Sequence, residues 1–184
     1  LRVDGWEADM DSEVTGSKMK SKYLPFVLSA VALIISLVSL TRTPDASNSI
    51  SKVIVVTHGV VTPTATTGSG IGTIRTFNIP IAIDGMESDD QYMLGTLTTL
   101  EVGVNGNEEL RSTNLNFVLG GESNQVVLGG ISLYPPAGAT IAPGNETIRP
   151  IIGGSGLYEG AAGQAVSKNM GNEGWSHTFS ITLP

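Results

Sequence analysis

The chain has 184 residues, 23 glycines, no cysteine and a formal net charge of −7 at pH 7. Nucleic acid is not an expected partner, because phosphate binding needs a basic surface. The lack of cysteine excludes disulfide bonds, thiolate metal sites and a cysteine nucleophile. Charged residues make up only 15% and aromatic residues 5% of the chain. This glycine-rich, weakly charged composition favours one all-β domain with a sizeable core and an appendage.

The first 22 residues form an acidic N-terminal tail. Its apolar members include Val3 and Trp6, among five acidic side chains and a single arginine before the first lysine. A large ring such as that of Trp6 either has no role in a solvated tail or covers another apolar surface. We therefore treat residues 1–22 as a candidate lid, with Val3 and Trp6 as its contacts.

An apolar segment predicted to be helical follows at residues 23–45. Its uncharged part, residues 23–40, comes directly after Lys18, Lys20 and Lys22. That length is at the lower limit for a membrane-spanning helix, and basic residues before it also suit a secretory signal. A signal or membrane anchor predicts a secreted or membrane-anchored protein, with membrane contact through residues 23–40. A hydrophobic helix docked on the barrel as a lid predicts a cytoplasmic one.

From Ile50 onward the pattern changes to strands. Turn residues such as Asp84-Gly85 and Asn105-Gly106 separate the strands, and loops this short favour antiparallel neighbours. Antiparallel strands without intervening helices favour a closed barrel, which has no exposed edge. The sequence therefore predicts an all-β fold, an eight-stranded antiparallel β-barrel (residues 46–184) with an N-terminal helical or extended extension. The predicted strands are 52–61, 71–83, 91–102, 109–119, 124–134, 146–152, 163–168 and 175–183.

A glycine-rich stretch at residues 151–164 is the most distinctive part of the predicted barrel. Glycine permits positive φ angles and close approach of two backbones, so we expect a corner between two strands. A phosphate-binding loop is the alternative, but the Lys-Ser/Thr pair of a P-loop does not follow the glycines.

This stretch, together with the strand at 176–181, resembles the C-terminal signature of the allene oxide cyclase and dirigent barrel superfamily. Residues 127–131 correspond to an apolar, glycine-bearing strand of that superfamily. The acidic, Trp-bearing extension further resembles the spirotetramate-forming [4+2] cyclases (Diels-Alderases) of pyrroindomycin-type antibiotic biosynthesis. In that group the N-terminal segment closes over the barrel cavity. Residues 53–59 lack the acidic and amide residues of plant allene oxide cyclases, and the cysteines usual in dirigent proteins are also missing.

Strand alternation predicts which side chains face the barrel interior. His177 shares a face with Trp175 and Phe179, and is either a core histidine or a donor to a ligand carbonyl. Gln125 is a second candidate donor, since an amide holds a carbonyl without titrating. Gln125 and His177 are therefore the candidate catalytic residues. The candidate substrate-binding residues are Thr57, Phe77, Tyr92, Glu101, Tyr134, Trp175 and Phe179.

Three further polar residues have two interpretations each. Glu101 is either an interior acid or base or a solvated carboxylate at the barrel rim, and we favour the rim. Arg75 either anchors an anionic ligand group or faces outward, and we expect it to face outward. His58 lies beside a glycine near a strand end and is expected at the rim or in a structural role. Two histidines on distant strands do not indicate a metal site.

The sequence contains no recognisable set of nucleophile, base and orienting residue. A pericyclic reaction needs little acid–base chemistry and depends on confining a flexible substrate. Together with the resemblance, this predicts a cofactor-free intramolecular [4+2] cyclase that forms a spiro-fused cyclohexene in a polyketide-derived tetramate or tetronate. The expected partner is a hydrophobic polyketide substrate, and a homodimer is compatible with the frequency of twofold symmetry. The alternatives are an exported or membrane-tethered lipocalin-like binding protein for a hydrophobic small molecule, and a dirigent-like stereochemical guide.

Overall fold

A computed structural model describes residues 49–184 of the chain. The predictions for the acidic tail, the apolar segment and the lid residues Val3 and Trp6 therefore lie outside the described residues. Within residues 49–184, none of the helical segments has the length and apolar character that a membrane crossing requires.

The described residues form one antiparallel sheet of ten strands joined mostly by short turns. Two 3-10 turns, Gly156–Tyr158 and Gly171–Glu173, flank the strand that precedes the last one. The strands are β1 (Ile50–His58), β2 (Ala65–Thr67), β3 (Ile74–Ile83), β4 (Met86–Val104), β5 (Glu108–Leu119), β6 (Gln125–Leu128), β7 (Ile131–Tyr134), β8 (Glu146–Ser155), β9 (Ala162–Asn169) and β10 (Trp175–Leu183).

Eight of these strands close into an antiparallel barrel, which confirms the predicted fold class. The order around the ring is β1-β10-β9-β8-β6-β5-β4-β3, and β3 pairs back onto β1. Asp84, at the turn between β3 and β4, secures this seam. Its backbone N–H donates to the Val55 carbonyl over 2.8 Å, and its carboxylate accepts from the Val55 N–H over 3.0 Å. The seam therefore leaves no unpaired edge at the centre of the barrel.

Two details of the strand pattern differ from the prediction. The short strand β2 pairs with β3 outside the ring, in a stretch predicted as a turn. The predicted strand at 124–134 is interrupted at Gly129-Gly130, and its two parts, β6 and β7, pair with different portions of β5. Gly130 has a φ of +97°, a conformation that interrupts a regular strand and that glycine adopts readily.

The glycine-rich stretch is a barrel corner, as predicted. Strand β8 continues to Ser155, the first 3-10 turn follows, and β9 leaves from Ala162. At Gly154 the backbones approach so closely that a Cβ atom would lie 2.3 Å from the Tyr158 carbonyl and 2.7 Å from that of Gln125. Tyr158 is buried beneath the corner and joins the main hydrophobic core.

The barrel interior has a packed end and a hollow end. The packed end contains large buried side chains such as Phe117, Phe179 and Ile181, which leave little space between them. Along β10 the change occurs between Phe179 and His177, because His177 and Trp175 line a cavity at the other end. Along the same strands, inward-facing side chains thus form the core at one end of the barrel and line the candidate site at the other.

Candidate functional site

The hollow end of the barrel contains a cavity of about 310 Å³. This volume lies at the lower end of the range of roughly 300–1,000 Å³ that is usual for small-molecule sites. The loops at residues 61–63 and 138–140 complete its lining. Its apolar lining side chains are Phe77, Ile79, Met93, Leu97, Leu115 and Trp175, and its polar ones include His58, Arg75, Arg111, Tyr134, Arg149 and His177.

Two of the three arginines share one carboxylate. Glu109 Oε2 accepts from Arg111 Nε over 2.8 Å and from Arg75 Nη2 over 3.3 Å. The hydroxyl of Thr99 donates to the same oxygen over 3.1 Å and accepts from Arg75 Nη1 over 2.9 Å. Burial opposes ionisation of Glu109, but hydrogen bonding and charge from Arg111, together with Thr99 and Arg75, outweigh it. They hold the pKa of Glu109 below its usual value. Glu109 is therefore a buried carboxylate that stays ionised.

Arg149 has a different environment, because its protein partners are all neutral. Its Nε donates to Thr113 Oγ1 over 3.0 Å, Nη1 donates to Thr147 Oγ1 and Nη2 donates to the Tyr134 hydroxyl. The side chain is buried, with 3% of the residue exposed. Within residues 49–184 no carboxylate pairs with it.

Two guanidinium groups lie close to Tyr134. The Arg111 guanidinium is 4.5 Å from the ring centroid and that of Arg149 is 5.9 Å from it, so both are within cation–π range. Because the Tyr134 oxygen accepts from Arg149, its own hydrogen can be donated elsewhere. The cluster therefore presents a hydroxyl donor close to two positive charges at the cavity wall.

The two histidines form a chain of hydrogen bonds with Ser167. His177 Nδ1 is 2.8 Å from Ser167 Oγ, and His177 Nε2 is 3.0 Å from His58 Nε2. His58 Nδ1 is 2.9 Å from the Gly59 carbonyl, which can only accept, so this nitrogen carries the proton. His177 Nε2 then donates to His58 Nε2, and Ser167 donates to His177 Nδ1. Both ring nitrogens of each histidine are thus engaged within the protein.

Both histidines are neutral in this arrangement. Burial lowers the pKa of His58, and the hydrogen bond to Gly59 offsets only part of that effect. Burial, together with the neighbouring His58 and Arg149, holds the pKa of His177 well below its usual value. The positive charge of the cavity therefore comes from its arginines.

Four of the residues predicted from the sequence meet at the cavity. Phe77, Tyr134, Trp175 and His177 all line it, and they reach it from β3, β7 and β10. The Trp175 and His177 rings stack with their centroids 6.3 Å apart. Phe179 has the same orientation as His177 on β10 but belongs to the packed core, where it is fully buried.

The other predicted residues lie elsewhere. Gln125 is at the corner, where its side chain donates to the Glu122 carbonyl, and Glu101 is exposed after a register shift in β4. Tyr92 and Thr57 line a separate, more polar depression. On β4, Met93 and Leu97 face the cavity, so Tyr92 lies on the opposite face of that strand.

The expectation that Arg75 faces outward is wrong. Arg75 shares the inward face of β3 with Phe77 and Ile79, as the alternation indicates, and its charge is compensated by Glu109. Glu109, Arg111 and Arg149 are not among the residues predicted from the sequence. The same two-residue period relates Arg111 to Leu115 on β5 and Arg149 to Ile151 on β8, and that signal could have identified them.

The described residues contain no group of three or more His, Asp or Glu side chains arranged to hold a metal ion. The polar lining of the cavity supplies mainly hydrogen-bond donors, which suit a carbonyl, carboxylate or enolate oxygen of a ligand.

No family model matches this chain, and no curated protein matches it. Solved structures do match. A pyocyanin demethylase is 14% identical with a TM-score of 0.51, and the match covers 72% of this chain and 99% of that one. This likeness shows a shared barrel fold. The pterocarpan synthase dirigent protein GePTS1 is 16% identical with a TM-score of 0.47, covering 77% of this chain and 94% of that one. A nonspecific heme-binding cyclase that catalyses [4+2] cycloaddition during neoabyssomicin biosynthesis is 13% identical with a TM-score of 0.47, covering 95% and 80%.

Proposed function

We propose that this chain is a cofactor-free cyclase that closes a ring in a hydrophobic polyene by intramolecular [4+2] cycloaddition. The proposed product is a spiro-fused cyclohexene in a polyketide-derived tetramate or tetronate. The observation that carries the proposal is one cavity, inside a closed barrel, with an apolar wall and a cluster of fixed hydrogen-bond donors.

The apolar wall suits the confinement that such a reaction requires. The diene and dienophile belong to one flexible chain, and holding them in contact removes conformational freedom before the reaction begins. Phe77 and Trp175 offer flat faces, and Leu97 and Leu115 fill the space between strands. A closed barrel keeps these side chains in place because both edges of every central strand are paired.

The donors suit activation of the dienophile. A carbonyl conjugated with the dienophile accepts electron density as the new bonds form, and preorganised donors stabilise that charge. Tyr134 and Arg149 are held by their own hydrogen bonds, so little reorganisation is needed when the substrate binds. In this proposal they take the role that the sequence predicted for Gln125 and His177.

The experiment compares a filled cavity with an unchanged one. A linear polyene tetramate is incubated with the full-length protein, and the cyclised isomers are quantified by chromatography and mass spectrometry. Leu97→Trp should reduce the rate at least tenfold, because Leu97 is buried and lines the cavity. Leu100→Trp on the same strand is the control, since Leu100 is 43% exposed and should leave the rate unchanged.

Two results would contradict the proposal that this chain is a cyclase. If the wild-type protein binds the polyene but changes neither the rate nor the isomer ratio, the barrel is a binding protein. If it changes only the ratio of isomers in a reaction started by another catalyst, it is a dirigent-like guide.

A further inference from the structure

We propose that the cavity is a binding site for an organic anion, a carboxylate or an ionised enol, held by Arg149, Tyr134 and Arg111. This inference rests on the proposed function in one respect: the anion is the head group of the hydrophobic ligand that occupies the same cavity.

The lining of the cavity carries an excess of positive charge. Three guanidinium groups line the cavity, and Glu109 is the one carboxylate bonded to any of them within residues 49–184. Three positive charges and one negative charge leave an excess of two. Since burial of an uncompensated charge is costly, a bound anion would be strongly stabilised there.

The anion should bind where the positive charge is not neutralised. The carboxylate of Glu109 neutralises positive charge at Arg75 and at the Nε atom of Arg111. The excess positive charge therefore lies at Arg149 and at the Nη atoms of Arg111. Arg149 is fixed by two threonine hydroxyls and Tyr134, none of which carries a charge to neutralise it. The centroid of the Tyr134 ring lies within 6 Å of both guanidinium carbons, and its hydroxyl accepts from Arg149, so Tyr134 belongs to the positive region.

The same position also offers hydrogen-bond donors to an anion. The Tyr134 oxygen accepts from Arg149, which leaves the phenolic hydrogen free to donate. Within residues 49–184, Arg111 donates from Nε to Glu109 and makes one further hydrogen bond, a 3.4 Å contact from Nη2 to the Pro135 carbonyl. The Tyr134 hydroxyl and an N–H of Arg111 are thus available for an oxygen of the ligand, and bonds to an ionised oxygen are about twice as strong as neutral ones.

The apolar wall determines the kind of anion. Phe77, Met93 and Leu115 line the same cavity. A fully hydrated inorganic ion would make no apolar contact with these side chains. The net charge of −7 over the whole chain also disfavours small free anions at the surface. An anion with a hydrophobic body satisfies both parts of the lining.

The test uses two probes of the same length, decanoate and decanamide, titrated calorimetrically into the full-length protein below the micellar concentration of decanoate. Decanoate should bind at least tenfold more tightly than decanamide. Arg149→Met should reduce that ratio to near one, because it removes the charge while keeping much of the side-chain volume. Lys168→Met is the matched control, since Lys168 is a half-exposed cation paired with Glu146 away from the cavity.

A second variant covers the case in which Arg149→Met does not fold. Tyr134→Phe keeps the ring close to the two guanidinium groups and removes only the hydroxyl. It should weaken decanoate binding by roughly threefold to tenfold and leave decanamide nearly unchanged. Equal affinity of the two probes for the wild-type protein would overturn the proposal. So would a preference for decanoate that survives in both variants, or the binding of neither probe.

The decanoate titration and the cyclase assay test the two proposals independently. A clear preference for decanoate without any cyclisation would refute the cyclase and keep the anion site. Cyclisation of a polyene without any preference for decanoate would keep the cyclase and refute the anion site.

Discussion

Two buried histidines make the stability of the barrel sensitive to acid. The pKa of His177 is held well below its ordinary value of 6.5, and that of His58 is also lowered. In the unfolded chain both regain the ordinary value, so the unfolded state takes up protons first as the pH falls. The free energy of unfolding should therefore be highest above pH 6.5 and decrease below it, by up to about 1.4 kcal/mol per pH unit for each histidine.

Urea denaturation at intervals between pH 7.5 and pH 5 measures this slope. The window lies above the range in which Glu109 would take up a proton, since its pKa is lowered from an ordinary value of 4.5. His177→Phe should flatten the slope even if it lowers stability at every pH. A wild-type free energy of unfolding that stays constant across the window would contradict the assignment of both histidines as buried and neutral.

For single residues, the sequence predicted which side chains face the barrel interior better than it predicted which residues they contact. The alternation on β10 correctly predicts that His177 and Phe179 face inward, because a two-residue period is a local property. The contact of His177 with His58 joins residues 119 apart in the chain. Likewise, the meeting of Tyr134 with Arg149 depends on how β7 and β8 come together, and a single sequence does not specify that contact.

At the scale of elements, the corner between β8 and β9 depends on the absence of one side chain. A Cβ at Gly154 would collide with two backbone carbonyls, which cannot move as a side-chain end can. Gly154→Ala should therefore destabilise the barrel by about 2–4 kcal/mol. Gly59→Ala is the control, because nothing lies within 4 Å of the added carbon there and its effect should be small. Thermal unfolding followed by circular dichroism compares the two variants. Equal melting temperatures would show that the backbone at the corner can move apart to accommodate a Cβ atom at residue 154.

The elements that the sequence predicted well are those whose boundaries carry turn residues. Asp84-Gly85 marks the β3–β4 hairpin, and the glycines after residue 152 mark the corner. The interruption at Gly129-Gly130 was missed because each half of that segment retains strand-like residues. The break becomes necessary only where β7 continues along β5 beyond the reach of β6, which is a tertiary requirement.

At the scale of the whole molecule, the lid predicted for residues 1–22 adds an expectation to the proposed enzyme. If residues 1–22 cover the cavity, Trp6→Ala in the full-length protein should slow cyclisation and reduce its stereochemical selectivity, because a lid excludes water and restricts the substrate. The measurement is the chromatographic assay described above, with Met10→Ala as the control in the same tail. Unchanged rate and selectivity in Trp6→Ala would show that Trp6 is no part of a lid.

The packed end of the barrel has a consequence for turnover. Phe117, Phe179 and Ile181 fill that end, and the loops at residues 61–63 and 138–140 line the cavity at the other end. In the proposed cyclase, substrate and product would compete for one cavity of about 310 Å³. The finished ring system is then expected to act as a competitive inhibitor of its own formation, so that reaction progress curves slow before the substrate is consumed.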